Sequence, residues 1–575
     1  MPSLQFGPWT RGIVNSSRDY TLPKSDAPGA QRTIAVLDAL NVDFTDKGAA
    51  VTRRGYSQTV AIDNGHSLKT LGGKTFIGVG TELRVINSMS PLSTTTLRTG
   101  LDGSAISYDE RGGEVWWSNG TDSGRCNADN TDHPWVPPAP GNIVAVYAGA
   151  GTLPDGTYRV AITHAMADGE ESVASGIEEI TLASAGSITL TLPAAIVGTD
   201  AFNIYCTVAN GKVLQKYRTV AASTESVSIT AAPHGRQLTE RAFLKPLPPG
   251  TAICFHGGRL LSLSGEFLFY SKPYDYGVYD PSQDYIALGA AGSIIASVES
   301  GVFVAADRTW FYAGSDIAVA EPTERLSFGA VAGTEFNHPT STSPVVGWYS
   351  DEGIALGSGD GSVTMPQRDK GFVAPTADRG SSWVRQRDGQ AHVVISLDGT
   401  ATYDSKVSDD FATALARYNN DSAAVCMELT GGATSRYSNW HFNSYAMFDG
   451  DEYGLDSDGL RLLDGRSDEG AEIEAIVDMG LIGYDTPQIK SPDSVYVRGK
   501  SSDILVVDIA PPTGDTYSYP AHRYSESMAV MRHAPMYGLI NLRQHGFNTI
   551  VRNQHGGSFE IAGIEVVLAV SKRRI

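Results

Sequence analysis

One glycine-led unit returns along most of this chain: a turn, an apolar strand, a short polar turn and a second apolar strand. Gly73 opens GKTFIGVGTELRVI, Gly113 opens GEVWWSNGTDSGRC, Gly258 opens GRLLSLSGEFLFYS and Gly301 opens GVFVAADRTWFYAG. Gly353 opens GIALGSGDGSVTMP, Gly389 opens GQAHVVISLDGTATY, and Gly450 opens a degenerate copy, GDEYGLDSDGLRLL. Short runs of Val, Ile, Phe, Tyr and Trp broken by Gly or Asp-Gly are strand and tight-turn chemistry. The openers stand 40, 145, 43, 52, 36 and 61 residues apart. All but one interval lie near the length of a four-stranded propeller blade, about 40–50 residues. Radial stacking of such sheets avoids long bare edges. The expectation is an all-β chain built on a β-propeller of about six or seven blades. A run of ordinary hairpins in stacked sandwiches would give a similar pattern. Helical periodicity is scarce, and the best local candidate is Asp410 to Tyr418.

The 145-residue interval leaves about 100 residues after one blade is subtracted, the size of a small β-sandwich. It begins after the Pro-rich stretch Trp135 to Pro140 and closes at Pro246-Leu247-Pro248-Pro249-Gly250. Between them lie a turn at Leu153 to Gly156 feeding a strand, the turn Asp168 to Ser172, the strand SITLTLP, and Asn210-Gly211, a hairpin signal. An immunoglobulin- or fibronectin-like domain inserted between two blades is expected. After about residue 470 the pattern changes, with strands expected at Ile473 to Val477, Ser494 to Val497, Ile504 to Ile509 and Ile561 to Val570. The expected domains are therefore 1–140 (N-terminal segment and first blades), 141–245 (inserted sandwich), 246–470 (remaining blades) and 471–575 (C-terminal β-rich domain).

Charge narrows the function. Across 575 residues, 44 Lys and Arg stand against 64 Asp and Glu, a formal net charge of −20. That argues against a basic nucleic-acid grip over the whole surface. It leaves room for an acidic wall facing DNA that must slide. Hydrophobic residues at 41% support a buried core. The four cysteines, at 126, 206, 254 and 426, have no C-x-x-C spacing. They read as reduced, packed thiols, neither a zinc cluster nor a disulfide framework. The start MPSLQFGPWTRG lacks a secretory pattern, and no stretch approaches 18 consecutive apolar residues. A soluble chain without a membrane span is expected.

Standard catalytic signatures fail. Gly72-Gly73-Lys74-Thr75 resembles the end of a phosphate loop, but Leu68 replaces the required Gly and the flanks read as strands. Gly357-Ser358-Gly359-Asp360-Gly361 carries its Ser in the wrong place for a nucleophile elbow and reads as a hairpin turn. His533, His545 and His555 have no ligand spacing. The acidic stretch Asp449 to Glu469 fails as an EF-hand, with Tyr453 and Leu460 where ligands are needed. Turns between strands explain its Asp and Gly, and a calcium loop of another kind stays open. Trp116, Trp117, Trp310, Phe311, Trp348 and Trp440 could stack on sugars, but their place in the repeat strands favours blade core. No catalytic, cofactor-binding or metal-ligating residues are assigned, and no cofactor is expected.

The order of local motifs is informative. Gly12-Ile13-Val14-Asn15, Leu22-Pro23, Ala39 to Phe44, Lys47-Gly48, Arg53 to Tyr56, His66-Ser67-Leu68 and Val115 to Gly120 come first. Gly156-Thr157-Tyr158 and Gly169 to Ser172 follow in the insert, then Leu268 to Pro273 and Gly301 to Val304. Gly556 to Ile561 and Arg573-Arg574-Ile575 close the series. Across most of its length the chain resembles the tail nozzle or hub proteins of short-tailed bacteriophages (podovirus tail tube or stabilisation proteins). The resemblance implies a non-enzymatic ring, usually a homohexamer, below the portal and adaptor connector proteins. Through it genomic double-stranded DNA leaves the head without sequence-specific binding, while added β domains contact tail fibres, a tail needle or the adaptor. It implies residence in the virion after assembly in the bacterial host cytoplasm. A receptor- or glycan-binding tail protein and a polysaccharide-cleaving enzyme are competing readings on the same scaffold.

Overall fold

The computed structural model describes residues 3–16, 22, 24, 32–166, 170–196, 198–238, 243–339, 344–398, 402–403, 406–417, 424–483, 488–512, 515–523, 531–536 and 544–570. The basic end Lys572-Arg573-Arg574, Pro23, and Asp168-Gly169 of the expected insert turn lie outside them. The protein is all-β apart from the helices Pro366–Asp369 and Asp409–Arg417 and one short 3-10 turn among the described residues. The second helix coincides with the one expected from sequence.

Every glycine-led opener sits where a turn enters the second or third strand of an antiparallel four-stranded meander. The first meander is Gly65–Leu71, Lys74–Val79, Glu82–Met89 and Leu92–Arg98. The second is Ser107–Arg111, Glu114–Ser118, Ser123–Cys126 and Asp132–His133, and the third Ala252–His256, Arg259–Ser264, Phe267–Tyr270 and Tyr285–Ala287. The fourth covers Ile294–Val298 to Pro322–Leu326, and the fifth Phe336–Asn337 to Val363–Thr364. The reason glycine leads is visible at Gly72-Gly73 and Asp388-Gly389. Both central residues of these two-residue turns have positive φ (58° and 70°, 51° and 74°), as the twist of a tight hairpin requires.

The sixth meander departs from expectation. Gln390–Leu397 pairs next with Ala424–Glu428 and then Thr434–Tyr437, whereas Thr402–Tyr403 pairs away with Pro375–Thr376. The helix Asp409–Arg417 occupies the chain between, burying Phe411 and Ala414 in the main core. The seventh meander is not built from one stretch. Ser444–Phe448, Asp451–Asp456 and Gly459–Leu462 take their fourth strand from Ser57–Ala61, with Leu460 opposite Val60. The copy read as degenerate is thus a regular hairpin, closed by a strand from near the start of the chain.

The chain divides into two units. One holds Met1–Ala105, Ser293–Gly314 and Glu321–Ile575; the other holds Ile106–Gly292 and Ser315–Ala320. Within the first, meanders pack against one another through their apolar faces. Phe303 and Phe311 of the fourth meet Trp348 of the fifth, and Leu68 and Ile77 of the first meet Leu455 and Leu460 of the seventh. The C-terminal strands Ile476–Ile482 to Phe559–Val570 form a sheet that the N-terminus completes. Ser3–Phe6 and Ala50–Thr52 pair with Phe559–Val570, and Asp38–Leu40 pairs with Ile476–Ile482. Sequence grouped the segment from Ser3 to Thr52 with the blades that follow it; its strands pair among themselves, with Thr434–Tyr437 of the sixth meander and with the C-terminal strands. Tyr517–Arg523, Met531–Pro535 and Phe547–Asn553 are strands that sequence reading missed.

In the second unit, residues 143–230 form a three-stranded sheet (Val144–Leu153, Gly186–Thr191, Ser226–Ile229) and a four-stranded one (Glu178–Leu182, Gly156–Met166, Thr199–Cys206, Gln215–Ala221). Both contribute to one core around Leu153, Tyr158, Ile188, Phe202 and Ile204. Asn210-Gly211 lies between paired strands, but in the longer loop 207–214 and not in a two-residue turn. Asn210 is engaged elsewhere: its N–H donates to Thr157 O (2.8 Å) and its Oδ1 accepts from Thr157 N–H (3.1 Å).

Leu460 is fully buried where the two distant segments close the seventh meander. Leu460→Ala is expected to cost about 2–5 kcal/mol in urea unfolding. A loss under about 1 kcal/mol would show that this closure lies outside the cooperative core.

Candidate functional site

The motifs that suggested chemistry resolve into structure. Gly72-Gly73-Lys74-Thr75 is a hairpin turn between two strands, with no helix to receive a phosphate. Ser358 to Gly361 turns between Gly353–Ser358 and Val363–Thr364. Trp116, Trp117, Phe311, Trp348 and Trp440 are buried, in line with the core reading, whereas Trp310 is half-buried. His533 stacks on Tyr496 (centroids 4.7 Å apart), His545 lends its carbonyl to Lys490 Nζ (2.6 Å), and His555 is exposed. The acidic stretch does more than make turns. Asp464 pairs with Arg54 (2.7 Å), Asp468 with Arg53 (2.6 Å), Glu469 with Arg461 (2.5 Å) and Glu452 with Arg387. No group of three or more potential metal ligands occurs among the described residues.

The densest electrostatics lie inside the first unit, where the N-terminal segment meets the sixth meander. Asp38 and Arg436 are both fully buried. Arg436 donates through Nε to Asp38 Oδ1 (2.7 Å) and through Nη2 to Oδ2 (2.5 Å). Arg53 donates to both carboxylate oxygens of Asp468, to Asn41 Oδ1 (2.8 Å) and to Ser438 O (3.0 Å), and its guanidinium lies 5.0 Å from the Trp440 ring centre. Arg385 pairs with Asp43 (2.5 Å) and donates to Tyr437 Oη (2.7 Å). Burial works against the Asp43 charge, but Arg385, His392 and the Tyr437 hydroxyl together hold its carboxyl below the usual range. Burial pushes the neighbouring Cys426 thiol up to about 12, so it stays protonated. The carboxyl of Asp478 rises to about 6. Its burial and the like charge of Asp38 outweigh the Gly480 N–H it accepts (2.8 Å) and Arg417 at 3.7 Å. Sequence reading passed over this set, although Asp38 and Asp43 interrupt the apolar run AVLDALNVDF.

The second unit carries the better candidate for a ligand: an open cleft of about 340 Å³. Trp116, Trp135, Tyr274 and Tyr276 line it, with Arg125 at its charged side. Arg125 bonds Glu114 (3.2 Å) on the adjacent strand and Glu170 (2.7 Å), and its guanidinium lies 5.8 Å from the Trp116 ring centre. Trp116 packs edge-on against Phe255 and Tyr276 and is 4% exposed, so it is a wall. Tyr274 is 77% exposed. Its only sequence signal is the tyrosine-rich turn KPYDYGVY.

No family model matches the chain, and no curated protein does. Solved structures align weakly. The computationally designed Ika8 protein shares 9% identity over 71% of this chain and 99% of its own, with a TM-score of 0.30. The WD40 beta propeller domain of Doa1 shares 11% over 71% and 96%, with a TM-score of 0.29. A glycoside hydrolase family 43 arabinoxylan arabinofuranohydrolase from Bacillus subtilis shares 6% over 81% and 96%, at 0.20. Similarity at this level carries no argument about activity.

Two measurements test the buried charges. Arg436→Met strands Asp38 and is expected to cost about 3–5 kcal/mol, whereas Asp38→Leu with Arg436→Met should recover most of that loss. Additive losses would show that the two charges do not act as a pair. Asp478 titrates near 6 when folded and near 3.8 when unfolded. Its stability contribution is therefore full below about pH 4 and is lost as pH rises through 6, by about 3 kcal/mol. Asp478→Asn should flatten that part of the stability–pH curve and raise stability at about pH 7.5. A curve parallel to the parent protein's would show that ionisation there costs nothing.

Proposed function

We propose that this chain is a structural, non-enzymatic subunit of a short-tailed phage nozzle. It forms a ring below the portal and adaptor through which double-stranded DNA leaves the head. The observation that carries the reading is the closure of the seventh meander by Ser57–Ala61, a strand that precedes the first meander in the chain, while the sixth runs on into the larger sheet. We take the seven meanders as the blades of a β-propeller. The 143–230 sheets form an immunoglobulin- or fibronectin-like sandwich inserted between the second and third blades, and the C-terminal strands form an added β-rich domain. A radial succession of sheets leaves only short, protected edges and suits a wall that must hold its shape under load. The buried ion pairs at Asp38, Asp43 and Arg53 support the same reading, because they use charge to brace the scaffold and not to present a reactive group. The resemblance of its short-motif order to that of nozzle proteins supplies the rest.

A conduit must not hold its cargo. DNA carries one charge per about 1.7 Å of axis, and Lys or Arg lining would bind it through counterion release. The net charge of −20 suits a lumen that is net negative. Copies meet through heterologous contacts whose rotation closes, with six as the expected number.

Sedimentation and negative-stain imaging of the purified chain with its connector are expected to show closed rings with a central channel. A monomer bound singly to fibres would move the reading to receptor binding. Rings should fail to retard double-stranded DNA even at about 50 mM salt; retention that weakens steeply with salt would overturn the acidic-lumen reading.

A further inference from the structure

The chemistry of the cleft in the second unit points to a ligand. It is lined by aromatic faces and by five ionisable side chains: Arg111 and Arg125 against Glu114, Glu170 and Asp275, a formal sum of −1. Arg125 is bonded to two of those carboxylates. An anionic ligand would meet the carboxylate majority, and a cation would compete with the guanidinium already over Trp116. A neutral ligand rich in hydroxyls escapes both penalties. Carboxylates and a guanidinium fork supply the acceptors and donors that neighbouring hydroxyls need, and aromatic rings supply an apolar face for the C–H side of a sugar ring. A volume of about 340 Å³ is within the range of small-molecule sites.

Tyr274 gives the strongest sign of selection for binding. Its φ is +60°, a region that a bulky side chain rarely occupies. Its N–H donates to Gly258 O (2.7 Å), and its phenol ring lies over Gly258, where a Cβ would stand 3.0 Å from the ring carbons. The left-handed backbone and the bare Gly258 together hold a rigid, solvent-exposed aromatic at the cleft. Strain of this kind without burial gains nothing for folding. A tyrosine presents a large flat contact with little side-chain freedom to lose.

We propose that this cleft binds a neutral oligosaccharide, with Tyr274 as the stacking platform and Arg125, Glu114 and Glu170 as the hydroxyl-binding edge. The inference stands independently of ring assembly. The full-length protein would be titrated with neutral oligosaccharides of glucose, galactose and N-acetylglucosamine, two to six rings long, by tryptophan fluorescence and saturation-transfer NMR. Binding by at least one neutral series is expected. Tyr274→Gly should weaken it at least tenfold while leaving the melting temperature equal or higher, since glycine accepts the positive φ. Tyr274→Phe should retain binding within about threefold, because the ring face remains. The proposal is overturned if no neutral series binds, if Tyr274→Gly binds as the parent protein does, or if a phosphorylated sugar displaces the neutral one with higher affinity.

Discussion

The pair of Asp38 and Arg436 is the interaction on which the first unit depends. The residues are 398 positions apart, both fully buried, and joined by two hydrogen bonds. Desolvating either alone costs several kcal/mol, and the bidentate pairing compensates. The N-terminal strands therefore cannot leave the sixth meander without stranding a charge. Arg53 with Asp468 and Arg385 with Asp43 repeat the arrangement nearby, again between the N-terminal segment and the second half of the chain. Such pairs add little net stability over a well-packed apolar core. They penalise misregister, which matters where strands so distant in sequence must find each other.

Sheet edges explain much of the rest. A meander of four strands leaves two edges and two apolar faces. In the first unit the faces are covered by neighbouring meanders through Phe303 with Trp348 and through Leu68 with Leu455 and Leu460. The C-terminal sheet takes strands from the N-terminus for the same reason, since Phe559–Val570 is too long to leave bare. The two ends of the chain are thus bound into one sheet, and the Ser57–Ala61 strand follows directly from that attachment.

Local chemistry made the repeat legible in the amino-acid order alone. Two-residue turns need positive φ, so glycine or Asp-Gly marks them, and all seven openers found that way begin or precede a strand of a meander. Trp116, Trp117 and Trp348 were legible as core because they sit within the apolar repeat strands. The helix Asp409–Arg417 was legible because its apolar spacing is local. The partner of Gln390–Leu397 was not, because a helix intervenes and nothing near Ala424 announces the pairing. The candidate cleft was not legible either: Trp116 read correctly as core, but Tyr274 and Glu170 belong to segments whose proximity to it depends on how the strands pack.

By itself the amino-acid order determined most of the strand content, many of the turn positions, six of the seven hairpins and the acidic balance, all of which follow from backbone sterics and composition within a few residues. Tertiary structure decided which strand closes the seventh meander, where the N-terminal segment pairs, which acids are buried against which arginines, and that four aromatics line one cleft. Those facts depend on contacts between residues far apart along the chain. Strand pairing is set there by register and by the covering of apolar faces, and neither leaves a mark in the local pattern.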